Sequence, residues 1–381
     1  MNERRLATWL RRGAVVLAGL LVMGWLVGVW LVSTTVEREV LTPQATEVEY
    51  DLEVATVSGG SIVLTRTPLT ERQGVWGLAS ETAYGQVSRI IGLRDDVVER
   101  AFRTIEGVMG PGDRVRFDDY AFAGDPRSAH GIAFAEMRFA GDLGAYPSWR
   151  IEGDRDTWII VVHGLGVDER RQALRILPVL ESQGFPVLVV TYRNDVGAPA
   201  APNGRATWGR LEWRDVEAAM RFAELQGAEE FVLYGFSMGG EIVSTLLHES
   251  DLVGGIAGVV LDSPVLDLEA AVDTNYDERG TWEIFVGAAK TLATLRFDVD
   301  WRALDQVERA DEFDVDMLLM HGSGDTIAPV ATSDEFAAAR PDIVHYERFD
   351  GADHGVLWNE DPGRYEAAVL EFLDRVAAPQ R

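Results

Sequence analysis

Residues 231–250 read FVLYGFSMGGEIVSTLLHES. Phe231-Val232-Leu233-Tyr234 is an apolar run suited to a strand covered on both faces. Gly235-Phe236-Ser237-Met238-Gly239 is a G-x-S-x-G string, and a helical pattern runs on from Met238 to His248. The string alone is a weak signal. Placed between a strand and a helix, it has the setting of a strained turn that lifts a serine hydroxyl above a sheet. In so tight a turn, side chains two residues either side of the serine would clash, which accounts for Gly235 and Gly239. The helix N-terminus then lies beneath a developing oxyanion. A glycine-rich corner without catalysis is the plain alternative.

Outward from this stretch the chain alternates. Residues 158–162, 186–192, 258–262, 316–321 and 344–349 read as buried strands, and residues 168–184, 212–226 and 362–376 as helices. This rhythm predicts an α/β fold with a mostly parallel sheet and helices on both faces.

A serine hydroxyl needs a base. His354 lies in Gly351-Ala352-Asp353-His354-Gly355, directly after the strand at 344–349. Asp325 lies in Gly322-Ser323-Gly324-Asp325, at the end of the strand at 316–321, where a carboxylate could orient the imidazole. Asp353 and Asp262 are rivals for that role, and the chain order serine, acid, histidine favours Asp325. Two backbone donors are expected for the oxyanion, the amides of Met238 and Leu165. Leu165 belongs to His163-Gly164-Leu165-Gly166, and Gly164 lets that loop approach the substrate.

Taken together, HGLG at 163–166, GFSMGG at 235–240, HGSGD at 321–325 and DHG at 353–355 resemble the serine hydrolases of the α/β-hydrolase fold. Within them the chain is most similar to the esterase and serine-aminopeptidase-like branch. YRNDVGAP at 192–199 and LEW at 211–213 are reminiscent of its membrane-anchored bacterial members. The resemblance implies hydrolysis of an ester, thioester or amide through an acyl-enzyme, without metal or organic cofactor. A short helical lid is expected at about 265–311, and residues 126–381 are expected to form the catalytic domain.

Other marked residues carry less. His163 and His321 each precede a glycine at a strand end, but no metal-ligand spacing surrounds them, so they read as loop-shaping residues. Arg193 and Asp195 follow a strand near the expected mouth of the site and fit substrate binding or loop capping equally.

The flanks of the 381-residue chain differ. Residues 13–36 form an uncharged, apolar run of 24 residues, long enough to span a bilayer with some tilt. Arg4, Arg5, Arg11 and Arg12 precede it, which predicts a cytoplasmic tip and an extracytoplasmic body. A cleaved signal peptide is the alternative, but no A-x-A-like site follows. Residues 37–125 read as a polar linker to about 45 and then a β-rich module, within which residues 93–108 fit either a helix or a strand pair. With 62 acidic against 35 basic side chains the net charge is −27, which disfavours nucleic acid as a partner. The 47% hydrophobic content excludes a disordered chain, and the lack of cysteine excludes a disulfide scaffold. The expected partners are a small-molecule or lipid-like ester and the membrane; the sequence does not set an oligomeric state.

Overall fold

The computed structural model describes residues 3–43, 49–166 and 169–377. Helix α1 (Glu3–Val40) is followed by six strands: β1 (Leu52–Ser58), β2 (Ser61–Thr65), β3 (Trp76–Ala79), β4 (Tyr84–Leu93), β5 (Val97–Glu106) and β6 (Arg114–Asp118). Among the described residues these close into a barrel in the order β1-β2-β5-β4-β3-β6. Residues 93–108 therefore hold neither a helix nor a strand pair of their own, but the turn after β4 and the strand β5 that pairs back on it. Alternate inward residues, among them Val54, Ile62, Trp76, Val87 and Val98, fill the barrel. Arg100 is also buried there, with its guanidinium donating to the carbonyls of Thr70, Arg72, Gly74 and Ser88. Burial with no carboxylate partner pulls its pKa down to about 10.

The five-residue helix α2 (Pro126–His130) leads into β7 (Ala135–Ala140), β8 (Ala145–Ile151), β9 (Thr157–Val162) and β10 (Val187–Val190), with α3 (Leu177–Ser182) before β10. Next come α4 (Trp213–Leu225), β11 (Glu230–Phe236), α5 (Met238–Glu249) and β12 (Ile256–Asp262). The chain closes with α6 (Leu268–Glu278), α7 (Glu283–Phe297), β13 (Met317–Gly322), α8 (Val330–Ala339), β14 (Val344–Phe349), α9 (Leu357–Glu360) and α10 (Pro362–Val376). The strands from β7 on form one sheet in the order β14-β13-β12-β11-β9-β10-β8-β7. The span from β14 to β10 is parallel, and β8 and β7 are antiparallel at one edge. Strands β9 to β13 are buried on both faces, as their unbroken apolar runs require. This is the α/β-hydrolase fold, carrying an apolar N-terminal helix and a β-rich module.

Two expectations need correction. The helix expected over 168–184 is a 3-10 helix at Glu169–Arg175 followed by α3. Pro178 has no N–H to continue the ladder, so one long helix cannot pass through it. Asp168, the first residue of that stretch, lies outside the described residues. The linker expected from residue 37 begins later, because α1 runs to Val40. Its last turns are held to the body: Val36 is buried, Glu37 pairs with Arg205 and Arg296, and Arg279 pairs with Glu39 at 2.7 Å. Residues 44–48, the rest of that linker, lie outside the described residues.

The barrel is keyed to the part of the chain that carries the eight-stranded sheet. Val75 N–H donates to the Asn359 backbone carbonyl at 2.7 Å, and the Asn359 side-chain Nδ2 donates back to the Val75 carbonyl at 2.9 Å. Gly74, at φ +92°, sits so close that a Cβ there would lie 2.0 Å from the Asn359 carbonyl oxygen.

Candidate active site

Ser237 links β11 to α5 with φ 49° and ψ −117°, a conformation costly for any residue with a Cβ. The flanking glycines make it attainable. A Cβ on Gly235 would lie 2.7 Å from Gly240 Cα, and one on Gly239 would lie 2.2 Å from the Val162 carbonyl oxygen. Gly239→Ala is expected to destabilise the fold by about 3 kcal/mol, since the obstacle is backbone that cannot rotate away; denaturant unfolding measures it.

The three polar residues singled out by spacing meet at the C-terminal ends of β11, β13 and β14. His354 Nε2 lies 2.8 Å from Ser237 Oγ, and His354 Nδ1 lies 2.7 Å from Asp325 Oδ2. An ionised carboxylate only accepts, so Nδ1 carries the proton and Nε2 is left to accept the serine hydroxyl. The carboxylate is well supported. Its Oδ1 accepts the amides of Ile327 and Ala328, and its Oδ2 also lies 3.1 Å from His321 Nε2. Burial raises the Asp325 pKa, but the hydrogen bonds from His321 and His354 outweigh it and hold the carboxyl well below the usual range. The rivals are engaged elsewhere. Asp353 accepts from Thr326 and from the His354 amide, while Asp262 accepts from Tyr365 and Ser263.

Gly164 packs on the serine: a Cβ there would come within 3.1 Å of Ser237 Cβ. Its loop is held from two sides, because Gly164 N–H donates to Gln172 and the Gly164 carbonyl accepts from Tyr192. Leu165 follows on this loop and lines the cavity beside Ser237. Met238 is the first residue of α5, where an amide has no acceptor within its own helix.

Arg193 and Asp195 do not reach the cavity. Arg193 is 3% exposed, Asp195 6%, and neither is among the cavity's lining residues. Asp215 accepts the backbone amide and the guanidinium of Arg193, and Asp195 accepts from His163 at 2.9 Å while the imidazole stacks on Tyr192. The substrate-binding role open to them in the sequence is thus closed by burial: both charges are spent on internal partners. His163 and His321 serve separate carboxylates, Asp195 and Asp325.

The cavity holds about 1030 Å³. Its walls include residues the sequence did not mark: Phe117, Asp118, Asp119 and Tyr120 from the barrel side, and Glu169 beneath the Gly164 loop. Tyr120 donates to Glu169, whose pKa burial raises. Helix α6, within the stretch expected to form a lid, contributes Val272, Asn275 and Tyr276, and the end of α1 contributes Glu39 and Val40.

Behind the site, Glu241 in the first turn of α5 is wholly buried. Its Oε1 accepts from Gln306 and Thr245, while its Oε2 has no partner. Burial pushes its pKa well above 4.5. A raised folded-state value means stability is full below the unfolded pKa and falls as pH rises through the folded one. Glu241→Gln is therefore expected to stabilise the protein at pH ~8 by roughly 1–3 kcal/mol and to gain little at pH ~4, read by thermal melts across pH.

Residues 172–380 match the model of the prolyl oligopeptidase family, and residues 53–118 match a Domain of unknown function (DUF8805). The chain belongs to the prolyl oligopeptidase family. Its fold is shared by the Pyrococcus furiosus esterase Pf2001, at 19% identity and a TM-score of 0.53, covering 67% of this chain and 97% of that one. A puromycin hydrolase aligns at 21% identity and a TM-score of 0.52, covering 84% of this chain and 46% of that one. No curated protein matches. This prolyl oligopeptidase-family chain is thus a serine hydrolase of the α/β-hydrolase fold.

Proposed function

We propose that the chain is a membrane-anchored hydrolase that cleaves carboxylic esters of small or lipid-like molecules. The observation that carries the chemistry is the hydrogen-bonded series Ser237–His354–Asp325 opening into a cavity. Ser237 Oγ attacks the ester carbonyl carbon while His354 Nε2 takes its proton. The amides of Leu165 and Met238 stabilise the resulting oxyanion. The carbon–oxygen bond to the leaving group then breaks, and His354 returns the proton to the departing alkoxide. Water, deprotonated by His354, attacks the acyl-enzyme and releases the acid. Asp325 keeps the imidazole in the required tautomer throughout.

Family membership favours a second reading on the same machinery, amide cleavage in a peptide. The carboxylates of Glu39, Asp119 and Glu169 around the cavity could hold a substrate amine. Turnover of p-nitrophenyl esters against aminoacyl anilides separates the two: faster turnover of the anilides would overturn the ester reading. Labelling by a fluorophosphonate tests the shared machinery, and unlabelled, well-folded protein would overturn both.

The anchor rests on α1. Among the described residues, Trp9–Val40 is the helix long and apolar enough to cross a membrane. The arginines on its N-terminal side favour an extracytoplasmic body. Protease added to intact cells should then reach the body, and full protection would overturn that orientation.

A further inference from the structure

Helix α7 runs alongside α1 and in the same direction. Val29, Ser33 and Val36 of α1 are buried, and Val36 belongs to a cluster with Val272, Tyr276, Val286 and Ala293. Near its start, α7 sets the Phe285 ring against Gly28, where an added Cβ would lie 2.7 Å from the ring. Near its end, Arg296 lays its guanidinium 3.9 Å over Trp30 and donates to Ser33 and Thr34.

This register fixes a depth. A hydrocarbon core of about 30 Å takes up roughly 20 helical residues at about 1.5 Å each. Counted from Arg12, the last charge of the basic tip, that core ends near residue 32. Gly28 then lies about 6 Å inside the boundary on the body's side. Phe285 lies at the same depth, and its neighbours Trp282 and Ile284 are 73% and 65% exposed. Arg296, Glu37, Arg279 and Glu39 pair further along α1, on the body's side of that boundary.

We propose that the start of α7, led by Trp282 and Ile284, inserts into the leaflet facing the body, as a second membrane contact beside α1. The partner is the phospholipid bilayer itself. Trp282 and Ile284 supply the apolar contact at the start of the helix. The patch is continuous with the spanning surface of α1, and α7 packs on α6, which lines the cavity with Val272, Asn275 and Tyr276. The lid is therefore held at the lipid surface, and the site faces esters that partition into that leaflet. This inference rests on the spanning reading of α1.

The absence of cysteine makes a clean test possible. Single cysteines at Leu20, Ile284 and Leu225 carry an environment-sensitive fluorophore in the full chain, reconstituted in phosphatidylcholine nanodiscs. Leu225 is 84% exposed at the end of α4, just before β11 begins, away from the site. Lipids spin-labelled near the carbonyl or the methyl end of the acyl chain serve as quenchers, and fluorophosphonate labelling checks the fold of each variant. Leu20 should be quenched best by the deep label, Ile284 at least about twofold more by the shallow label than by the deep one, and Leu225 by neither. Quenching at Leu20 with none at Ile284 overturns the lid contact and leaves the anchor intact. No quenching at Leu20 overturns the anchor, and the lid proposal with it.

Discussion

Ser237→Ala is expected to abolish fluorophosphonate labelling and to reduce ester turnover by about a million-fold, leaving only the acceleration supplied by binding and oxyanion donors. The size follows from the site's geometry. The serine oxygen is held 2.8 Å from His354 Nε2 by a backbone at φ 49° that the flanking glycines permit. Removing Oγ deletes the atom proposed to form the acyl bond, and the nearby hydroxyl of Ser263 is committed to Asp262 and to the Gly355 amide. Alanine keeps the backbone and the packing, so thermal stability should change little. A variant that still labels at the wild-type rate would remove Ser237 from the mechanism.

Asp325→Asn is expected to lower turnover by about ten-thousand-fold. An amide can donate toward Nδ1 and so favours the tautomer that presents Nε2–H to the serine, which is the wrong one for a base. The carboxylate of Asp325 accepts from His354, His321 and two backbone amides, and the NH2 end of an asparagine would leave some of these donors unmatched. A loss of stability should therefore accompany the loss of turnover. Asp262→Asn is the control: its carboxylate accepts from Tyr365 and Ser263 instead of His354, so turnover should fall far less. Equal losses in the two variants, measured as kcat on one soluble ester, would sink the assignment of Asp325.

The strands and the three polar residues at their ends were legible because each depends on short-range constraints. A buried parallel strand needs a continuous apolar run, and a tight turn after it needs glycine. Gly235, Gly239 and Gly164 announce close backbone approach in the sequence, and the structure shows the atoms that crowd them. The order of Ser237, Asp325 and His354 then follows the order of the strands that carry them.

What the sequence alone left open depends on partners far along the chain. Arg193 and Asp195 look like site residues because they follow a strand; burial against Asp215 and His163 takes them out of the cavity. His321 is four residues from Asp325, yet its grip on that carboxylate depends on how the loop after β13 folds back. The barrel gave no chemical motif, and the place of Tyr120, just after β6, in the cavity wall arises from contacts far along the chain, Asp118 with Arg171 and Val75 with Asn359.

The same division holds for the apolar helix. Composition alone marks residues 13–36 as long enough to cross a bilayer. The tertiary structure decides that its far end continues to Val40, joins the cavity wall and packs on the lid. Hydrophobic length is a local property of the chain. Which face of a helix is buried is set by the elements that fold against it, and those lie more than two hundred residues away in α6 and α7.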